Sequence, residues 1–207
     1  PPEPLAPYLS ELISFTKSSS QSGRPALGIV FDGDGDRIAA IDENGEFCST
    51  QLLIPLLIDH LANVRQLPGS VVKTVSGSDL MSLVAEDLGR KVFELPVGFK
   101  HIAAAMLSDE VLVGGEESGG VGFGMHLPER DALFAALLIL EALVKRGKPL
   151  GVCVKDLQTR YGGSFYYERI DLHLGNMESR RRLEGLLTES PPSEVAGEEV
   201  KNVIRTD

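Results

Sequence analysis

Short apolar runs alternate with helical segments in the middle of the sequence. Residues 71–75, 91–95 and 111–114 have the length and composition of β-strands, and residues 79–88 and 99–107 have the apolar periodicity of helices. Helices of about ten residues between consecutive strands are typical of parallel crossover connections, because a short hairpin turn joins only antiparallel strands. The alternation therefore predicts an α/β domain built on a mostly parallel sheet.

The segments on both sides of this domain give further predictions. The predicted elements are a helix over 5–15 followed by a polar loop from residue 18, strands over 26–31 and 37–42, a helix over 50–66 with Pro55 in its first turn, helices over 131–145 and 154–161, a strand over 164–174, a helix over 178–187 and a loop over 190–199. The composition changes near residue 164, which indicates that a separate unit begins there. The roughly 44 residues after that point are too few to form an independent core without help.

Composition and charge exclude several classes of function. The 207 residues carry a formal net charge of −10 and contain 6% aromatic residues, which argues against nucleic acid or an anionic membrane surface as a partner. The longest apolar run, residues 132–140, is far shorter than the ~20 residues that a membrane-spanning helix needs. Cys48 and Cys153 belong to no metal-binding or redox motif, so a cytoplasmic location is expected. The chain starts with Pro1 rather than Met, and we expect it to be a piece of a longer protein.

Three aspartates alternate with glycines between two of the predicted strands. Asp32, Asp34 and Asp36 can converge within one tight loop, but two like charges ~4 Å apart repel by about 4 kcal/mol at an effective dielectric constant of 20. A bound divalent cation would neutralise this repulsion. Because carboxylate oxygens are hard ligands, the loop predicts a Mg²⁺ site, and Ca²⁺ is also compatible with the ligand chemistry.

Three other interpretations of this loop stay open from the residues alone. An EF-hand would align the same aspartates with its ligand positions, but it needs glycine where Arg37 stands and helices where strands are predicted. A magnesium-dependent phosphatase with an aspartate nucleophile would also place an apolar strand before Asp32, yet the sequence lacks the second acidic motif that we expect on a later strand. The third interpretation is a solvated acidic turn without a ligand.

The acidic loop and two later motifs together resemble a known family. The motifs are Asp32-Gly33-Asp34-Gly35-Asp36-Arg37, Pro96-Val97-Gly98-Phe99-Lys100-His101-Ile102 and Gly114-Gly115-Glu116-Glu117-Ser118-Gly119-Gly120. In this order they resemble the α-D-phosphohexomutases, most closely the bacterial phosphoglucomutases, which are four-domain proteins. The resemblance implies a three-layer α/β/α domain with a mostly parallel mixed sheet, flanked by partial neighbouring domains.

The resemblance also implies where the domains of such a protein would fall on this chain. Residues 1–47 would be the C-terminal part of domain 2 with the metal-binding loop, residues 48–163 the complete domain 3 with the sugar-binding loop, and residues 164–207 the start of domain 4. Less than half of a family member would then be present. Domain 1 and the rest of domain 4 would be the missing partners of these segments.

Site residues follow from the same resemblance. Asp32, Asp34 and Asp36 correspond to the magnesium ligands, and Arg37 to an arginine near the family's phosphoserine. Lys100 matches the active-site lysine of the third domain, where it would bind substrate or act as acid and base, and His101 is a weaker catalytic candidate. Glu116 and Ser118 correspond to residues that bind sugar hydroxyls. A carboxylate beside a hydroxyl suits this role, because a sugar hydroxyl both donates and accepts hydrogen bonds.

The family mechanism needs groups that this sequence lacks. In the family, a phosphoserine donates its phosphoryl group to a hexose phosphate through a hexose 1,6-bisphosphate, and the donor motif contains a Ser-His pair. No histidine in this sequence follows a serine, and the phosphate loop of the type Arg-x-Ser-Gly-Thr is also missing. We therefore expect an inactive fragment of a mutase that interconverts hexose 1- and 6-phosphates, with Glu117 favouring glucose phosphate. The alternative is a non-catalytic module that binds sugar phosphates.

Overall fold

The structure is a computed structural model that describes residues 3–23, 26–167, 175–195 and 197–200. The chain divides into two compact units, Pro1–Tyr167 and Glu168–Asp207. Among the described residues, no helix has the length and apolar character required to cross a membrane.

A small antiparallel sheet forms the N-terminal part of the first unit. Its strands are β1 (Gly28–Phe31), β2 (Ile38–Ile41) and β3 (Phe47–Cys48), with β2 in the centre. Phe31 pairs with Ile38, so the acidic segment between β1 and β2 is the loop at the end of a hairpin. Strands on both sides of the loop exclude the EF-hand, which needs helices there.

A second sheet contains the predicted parallel strands. Its order is β5 (Val92–Leu95), β4 (Ser70–Thr74), β6 (Val111–Gly115) and β7 (Val121–Phe123). β4 pairs in parallel with β5 and β6, and β7 is antiparallel to β6. The predicted mixed, mostly parallel α/β sheet is therefore confirmed. β7 was not predicted because it is short and lies within a glycine-rich segment.

Helices cover this sheet and enclose the core. They are α2 (Thr50–Asp59), which continues as a π-helical turn over His60–Val64, and α3 (Asp79–Asp87), α4 (Phe99–Ser108), α5 (Ala132–Arg146) and α6 (Leu150–Arg160). α2 is buried on nearly all sides, and its side chains contribute the centre of one continuous apolar core. A helix with this much apolar surface is stable only inside the domain.

Two details differ from the sequence prediction at the N-terminal side of the unit, the end of the first helix and the position of Pro55 in α2. After a 3₁₀ turn over Ala6–Tyr8, α1 (Ser10–Gln21) continues through the serines that were predicted to form a loop. The Ser18 hydroxyl donates to the Phe15 carbonyl at 3.0 Å, which satisfies the side chain within the helix. The prediction that Pro55 lies in the first turn of α2 is also wrong, because Pro55 is the sixth residue of that helix.

α6 begins four residues earlier than predicted, at Leu150. The Gly151 amide donates to the Glu43 carboxylate at 2.9 Å. The first turn of α6 is thus stabilised by a residue from the turn between β2 and β3. Such a distant capping group leaves no signal in the local sequence.

The second unit contains α7 (Met177–Glu189), which confirms the predicted helix over 178–187. The Asn176 side chain accepts from the Ser179 amide at 2.9 Å and caps α7. The predicted loop over 190–199 contains the two-residue strands β8 (Glu194–Val195) and β9 (Glu198–Glu199). Of the predicted strand over 164–174, residues 164–167 have no regular structure and residues 168–174 lie outside the described residues.

Candidate functional site

The acidic loop brings its three carboxylates close together. One carboxylate oxygen from each of Asp32, Asp34 and Asp36 lies within 4.8 Å of the others. Asp32 is buried, Asp36 is half-buried and Asp34 is exposed. The loop therefore has a fixed side at the end of β1 and a side that solvent ions can reach.

Asp32 organises the loop through both of its oxygens. Its Oδ1 accepts from the amides of Asp36 at 3.0 Å and Arg37 at 3.1 Å, and its Oδ2 accepts from Arg37 Nε at 2.6 Å. Burial acts to raise the pKa of Asp32, but the hydrogen bonds from Arg37 outweigh it and hold this pKa far below its usual range. Asp32 is therefore ionised over the whole physiological range of pH.

Arg37 is fixed by two carboxylates. Besides Asp32, it contacts Glu3, with 2.8 Å between Arg37 Nη1 and Glu3 Oε2. The hydrogen bonds from Arg37 to Glu3 and to Asp32 raise the pKa of the guanidinium. Arg37 therefore carries its charge at the edge of the loop and keeps it next to Asp32.

The second loop follows β6 and carries Glu116. Glu116 is 5% exposed, and burial is the main cause of its raised pKa. The Thr50 hydroxyl donates to the Glu116 carbonyl at 2.8 Å, and the nearby Gly98 amide acts to lower the pKa of the Glu116 carboxyl. The carboxylate is thus placed between the start of α4 and the acidic loop.

Glu117 points away from Glu116 and towards the end of β4. Its Oε2 accepts from the hydroxyls of Ser76 at 2.5 Å and Thr74 at 3.2 Å. Neighbouring carboxylates on this loop therefore have different environments. The Glu117 carboxylate fixes the loop to the sheet, whereas the Glu116 carboxylate faces Gly98.

Backbone contacts join the two loops directly. The Ile38 amide donates to the Gly119 carbonyl at 3.0 Å, and Arg37 forms an isolated antiparallel bridge with Gly120. Gly119 has φ +114°, and a Cβ there would lie 3.1 Å from both the Ile38 carbonyl oxygen and Arg37 Cβ. Glycine is required at this position because other residues rarely adopt such a φ. The loops over 32–37 and 116–120 form one continuous site.

Arg130 is a charged residue of this site that no sequence motif indicated. Arg130 Nη2 lies 2.5 Å from Asp36 Oδ2, and the Arg130 side chain also covers Gly120. Its positive charge acts to lower the pKa of both Asp36 and Glu116. In the sequence, Arg130 stands one residue before a helix cap and has no distinguishing pattern, so only the tertiary structure could identify it.

The other candidate residues lie around this centre. Lys100 is exposed and His101 is half-buried in the first turn of α4. A Cβ on Gly98 would lie 3.9 Å from Lys100 Cε and 3.8 Å from His101 Cδ2, so both side chains flank Gly98. Within the described part of the chain, no hydrogen bond or ion pair connects Lys100 with the acidic loop. Ser118 is half-buried, two residues after Glu116.

The donor set of the acidic loop fits a hard divalent cation. Its side-chain ligands are all carboxylate oxygens, they converge within 4.8 Å, and the exposed Asp34 leaves a path for an ion. A role of Asp32 as the nucleophile of a phosphatase fits this loop less well than a role as a metal ligand. Both oxygens of Asp32 already accept hydrogen bonds, two of them from Arg37, and such a carboxylate is poorly available for attack.

Comparison with known proteins places most of the first unit in one family of enzymes. The family model described as phosphoglucomutase/phosphomannomutase, alpha/beta/alpha domain III, matches residues 50–161, which is more than half of the chain. A phosphoglucosamine mutase from Pseudomonas putida strain F1 is 38% identical over 128 residues, which cover 62% of this chain and 29% of that protein. A phosphoglucosamine mutase from Nitratidesulfovibrio vulgaris strain DP4 is 32% identical over 136 residues, covering 65% and 30%. The chain spans about three tenths of the length of these relatives.

Solved structures share the fold. A crystal structure described as a phosphomannomutase from Thermus thermophilus matches with a TM-score of 0.75 at 33% identity, over 82% of this chain and 38% of that one. The phosphoglucomutase pp63/parafusin from Paramecium, in an open form, matches with a TM-score of 0.69 at 24% identity, over 91% of this chain and 34% of that one. The second match supports the α/β fold alone.

Proposed function

The chain belongs to the phosphoglucomutase/phosphomannomutase family, and we propose that it supplies the metal-binding and sugar-binding parts of a phosphohexomutase site. The reaction of such a site moves a phosphoryl group between positions 1 and 6 of a hexose through a hexose 1,6-bisphosphate. The observation that carries the proposal is the junction of the two loops, in which Arg37 and Ile38 contact Gly119 and Gly120. This junction places the carboxylates of the acidic loop next to Glu116.

Asp32, Asp34 and Asp36 would hold Mg²⁺. When bound, Mg²⁺ neutralises charge on the transferring phosphoryl group. The ion pairs with Asp32 and Glu3 hold Arg37 at the edge of the acidic loop. Besides Mg²⁺, Arg37 would therefore present a second positive charge to the same phosphoryl group. Phosphoryl transfer depends mainly on positioning and charge neutralisation, which is what these residues provide.

Glu116 and Ser118 would bind hydroxyls of the hexose. The bond from the Thr50 hydroxyl fixes the backbone of Glu116 before a sugar arrives. Lys100 and His101, on the other side of Gly98, would contact the phosphate or exchange a proton with the attacking hydroxyl.

The hexose phosphate substrate is part of the proposal, and glucose phosphate stays our prediction for it. The prediction depends on Glu117, whose carboxylate is bound by Ser76 and Thr74. An effect of Glu117 on the choice of sugar can therefore act through the position of the loop. Two of the similar proteins are named phosphoglucosamine mutases, and one similar structure is described as a phosphomannomutase.

We also propose the domain boundaries at 47/48 and 163/164 and a cytoplasmic location. Domain 1 and the remainder of domain 4, as the resemblance defines them, would provide the serine donor and the phosphate loop. The chain by itself should then show no turnover of glucose 1-phosphate in the presence of glucose 1,6-bisphosphate. Turnover by the purified chain in a coupled assay would contradict this expectation.

A titration with Mg²⁺ tests the metal site on the chain as it exists. Calorimetry or amide NMR should detect weak binding that is centred on the acidic loop. Asp34→Ala should lower the affinity at least tenfold, because this exposed side chain contributes one of three carboxylate ligands. Glu86→Gln removes the same charge from an exposed position on α3 and should leave binding unchanged. Undiminished binding by Asp34→Ala would move the metal site elsewhere.

A titration with glucose 1,6-bisphosphate tests the sugar-binding loop. We expect amide shifts at Glu116, Ser118 and Lys100, and weaker binding in Glu116→Gln because the amide cannot pair with hydroxyls as a carboxylate does. The non-catalytic module predicts the same binding. The coding sequence next to this chain separates the two functions, since a mutase requires a Ser-His donor motif upstream and a binding module does not.

A further inference from the structure

Arg130 lies between the acidic loop and the loop that carries Glu116. Its Nη2 is 2.5 Å from Asp36 Oδ2, and its guanidinium carbon is 5.6 Å from the centre of the Phe99 ring. A Cβ added to Gly120 would lie 2.5 Å from Arg130 Cδ, so the absence of a side chain at Gly120 makes room for this arginine. The Phe99 ring, Gly120 and the Asp36 carboxylate together define the position of the Arg130 side chain.

The two arginines of the site are held differently. Arg37 binds Asp32 and, through Nη1, Glu3 at 2.8 Å. Arg130 has its close ion pair with Asp36, and its Nε makes no hydrogen bond within the described residues, at 3.7 Å from the Glu129 carboxylate. Arg130 is therefore the arginine that is easier to move away from the acidic loop.

A divalent cation and Arg130 require the same carboxylate. A cation bound to Asp36 at the usual Mg²⁺–oxygen distance would lie within about 5 Å of the guanidinium nitrogen that contacts Asp36. The two positive charges then repel each other in a partly buried site, where the repulsion is stronger than in water. The Glu129 carboxylate lies 3.7 Å from Arg130 Nε, and Glu116, 5% exposed, also lies close to the arginine, because a Cβ on Gly120 would be 2.5 Å from Arg130 Cδ and 3.1 Å from Glu116 Oε2.

We propose that Arg130 is a displaceable counter-ion: a divalent cation on the acidic loop releases it from Asp36, and the released guanidinium pairs with Glu116. This proposal rests on the metal site proposed above. It connects occupancy of the metal site with the charge at the sugar-binding loop. It also predicts that Arg130 lowers the affinity for Mg²⁺, because the cation has to break the ion pair with Asp36 before it binds.

The test compares Mg²⁺ affinity of the full 207-residue chain with that of Arg130→Met and Arg65→Met. Arg130→Met should bind Mg²⁺ roughly tenfold more tightly, since Asp36 then keeps only its weaker contact with Arg37, with 3.9 Å between Arg37 Nε and Asp36 Oδ1. Arg65→Met removes the same charge from a pair with Glu141 that lies outside the site, and its affinity should equal that of the unmodified chain. Affinity of Arg130→Met within twofold of the unmodified chain, or lower, overturns the proposal.

A measurement on the unmodified chain keeps the proposal testable if Arg130→Met does not fold. In NMR spectra of the arginine side chains, the Arg130 Nε–H signal should shift with the same Mg²⁺ midpoint as the Gly35 amide. The Arg37 Nε–H signal should stay near its starting position, because Asp32 and Glu3 hold it. A constant Arg130 signal overturns the proposal.

The outcomes also separate this proposal from the metal site itself. If both chains bind Mg²⁺ equally, the metal site stands and the displacement of Arg130 fails. If neither chain binds Mg²⁺, the metal site fails and the displacement fails with it. If only Arg130→Met binds measurably, competition between the cation and Arg130 is confirmed.

Discussion

Ser76 donates a 2.5 Å hydrogen bond to Glu117 Oε2, and this contact connects the turn after β4 with the loop that carries Glu116. Gln51 on α2 reinforces the turn, because its side chain donates to the Ser76 carbonyl at 2.7 Å and accepts from the Ser78 amide at 2.6 Å. The loop over 116–120 is thus attached to β4 and to the turn that follows it through side chains on both elements.

Ser76→Ala should loosen this loop without unfolding the domain. The substitution leaves Glu117 with Thr74 as its remaining partner and costs about 1.5–3 kcal/mol of unfolding free energy, the usual loss for a hydrogen bond to a charged group. Amide hydrogen exchange at residues 116–120 should become at least tenfold faster. Ser108→Ala, at an exposed site on α4, is the control and should leave that exchange unchanged. Equal exchange in both variants would show that the Ser76 contact does not hold the loop.

Asp59 should be a major contributor to the stability of the first unit. It is 4% exposed at the end of α2, and it accepts from Arg146 on α5 and, at 3.2 Å, from Arg160 on α6. Removing one partner of a buried ion pair leaves charges uncompensated, so Asp59→Ala should cost about 2–4 kcal/mol of unfolding free energy. Urea unfolding followed by circular dichroism gives this number.

Asp156→Ala provides the comparison for Asp59→Ala. Asp156 pairs with Lys148 at 2.7 Å, but both side chains are 52% exposed. Its loss should produce no measurable change, because solvent screens exposed ion pairs. Equal destabilisation by the two substitutions would show that burial of Asp59 has no particular importance.

The central strands and helices could be predicted from the sequence because local apolar periodicity determines them. Two of the errors depend on distant groups. α6 starts at Leu150 because Glu43 binds its first turn, and Pro55 occurs inside α2 because tertiary packing surrounds that helix. Neither cause leaves a mark in a short window of sequence.

The acidic loop could be predicted for the same reason as the strands: its three carboxylates are neighbours in the sequence. Its contact with the loop after β6 was not predicted, and Arg130 was missed. The ion pair between Arg130 and Asp36 joins residues far apart in the chain, and an arginine before a helix is common. Long-range ion pairs of this kind can be identified only from the folded structure.

His60 should make the stability of the first unit depend on pH. It is fully buried in the π-helical turn, where burial is the main cause of its lowered pKa. Glu141, 3.5 Å from His60 Nε2, acts to raise the pKa, whereas Arg146 and Arg65 act to lower it. Because the folded-state pKa lies below the unfolded value of about 6.5, the unfolded chain binds the proton more readily. Stability is therefore complete above about pH 6.5 and falls as the pH decreases towards the folded-state pKa.

Urea unfolding of the unmodified chain and of His60→Leu at pH 7.5, 6.0 and 5.0 measures this contribution. The unfolding free energy of the unmodified chain should decrease from pH 7.5 to 5.0, and the decrease should be smaller in His60→Leu. His60→Leu is the suitable replacement because neither ring nitrogen of His60 forms a hydrogen bond with a described residue, so the substitution removes no hydrogen bond. The same pH dependence in both proteins would show that His60 does not cause it.

Both cysteines should be unreactive in the folded chain. Cys48 is 3% exposed and Cys153 is 4% exposed, and burial is the main cause that raises the pKa of Cys48 to about 12 and also raises that of Cys153. The thiolate is the reactive form, and at pH 8 a thiol with such a pKa is ionised about a thousandfold less than a free cysteine. A disulfide reagent should therefore label neither thiol within minutes in buffer and both thiols in 6 M guanidinium, used here as a denaturant. Rapid labelling of one thiol in buffer would place that cysteine in a segment that opens locally, and Cys48→Ala would identify which one reacts.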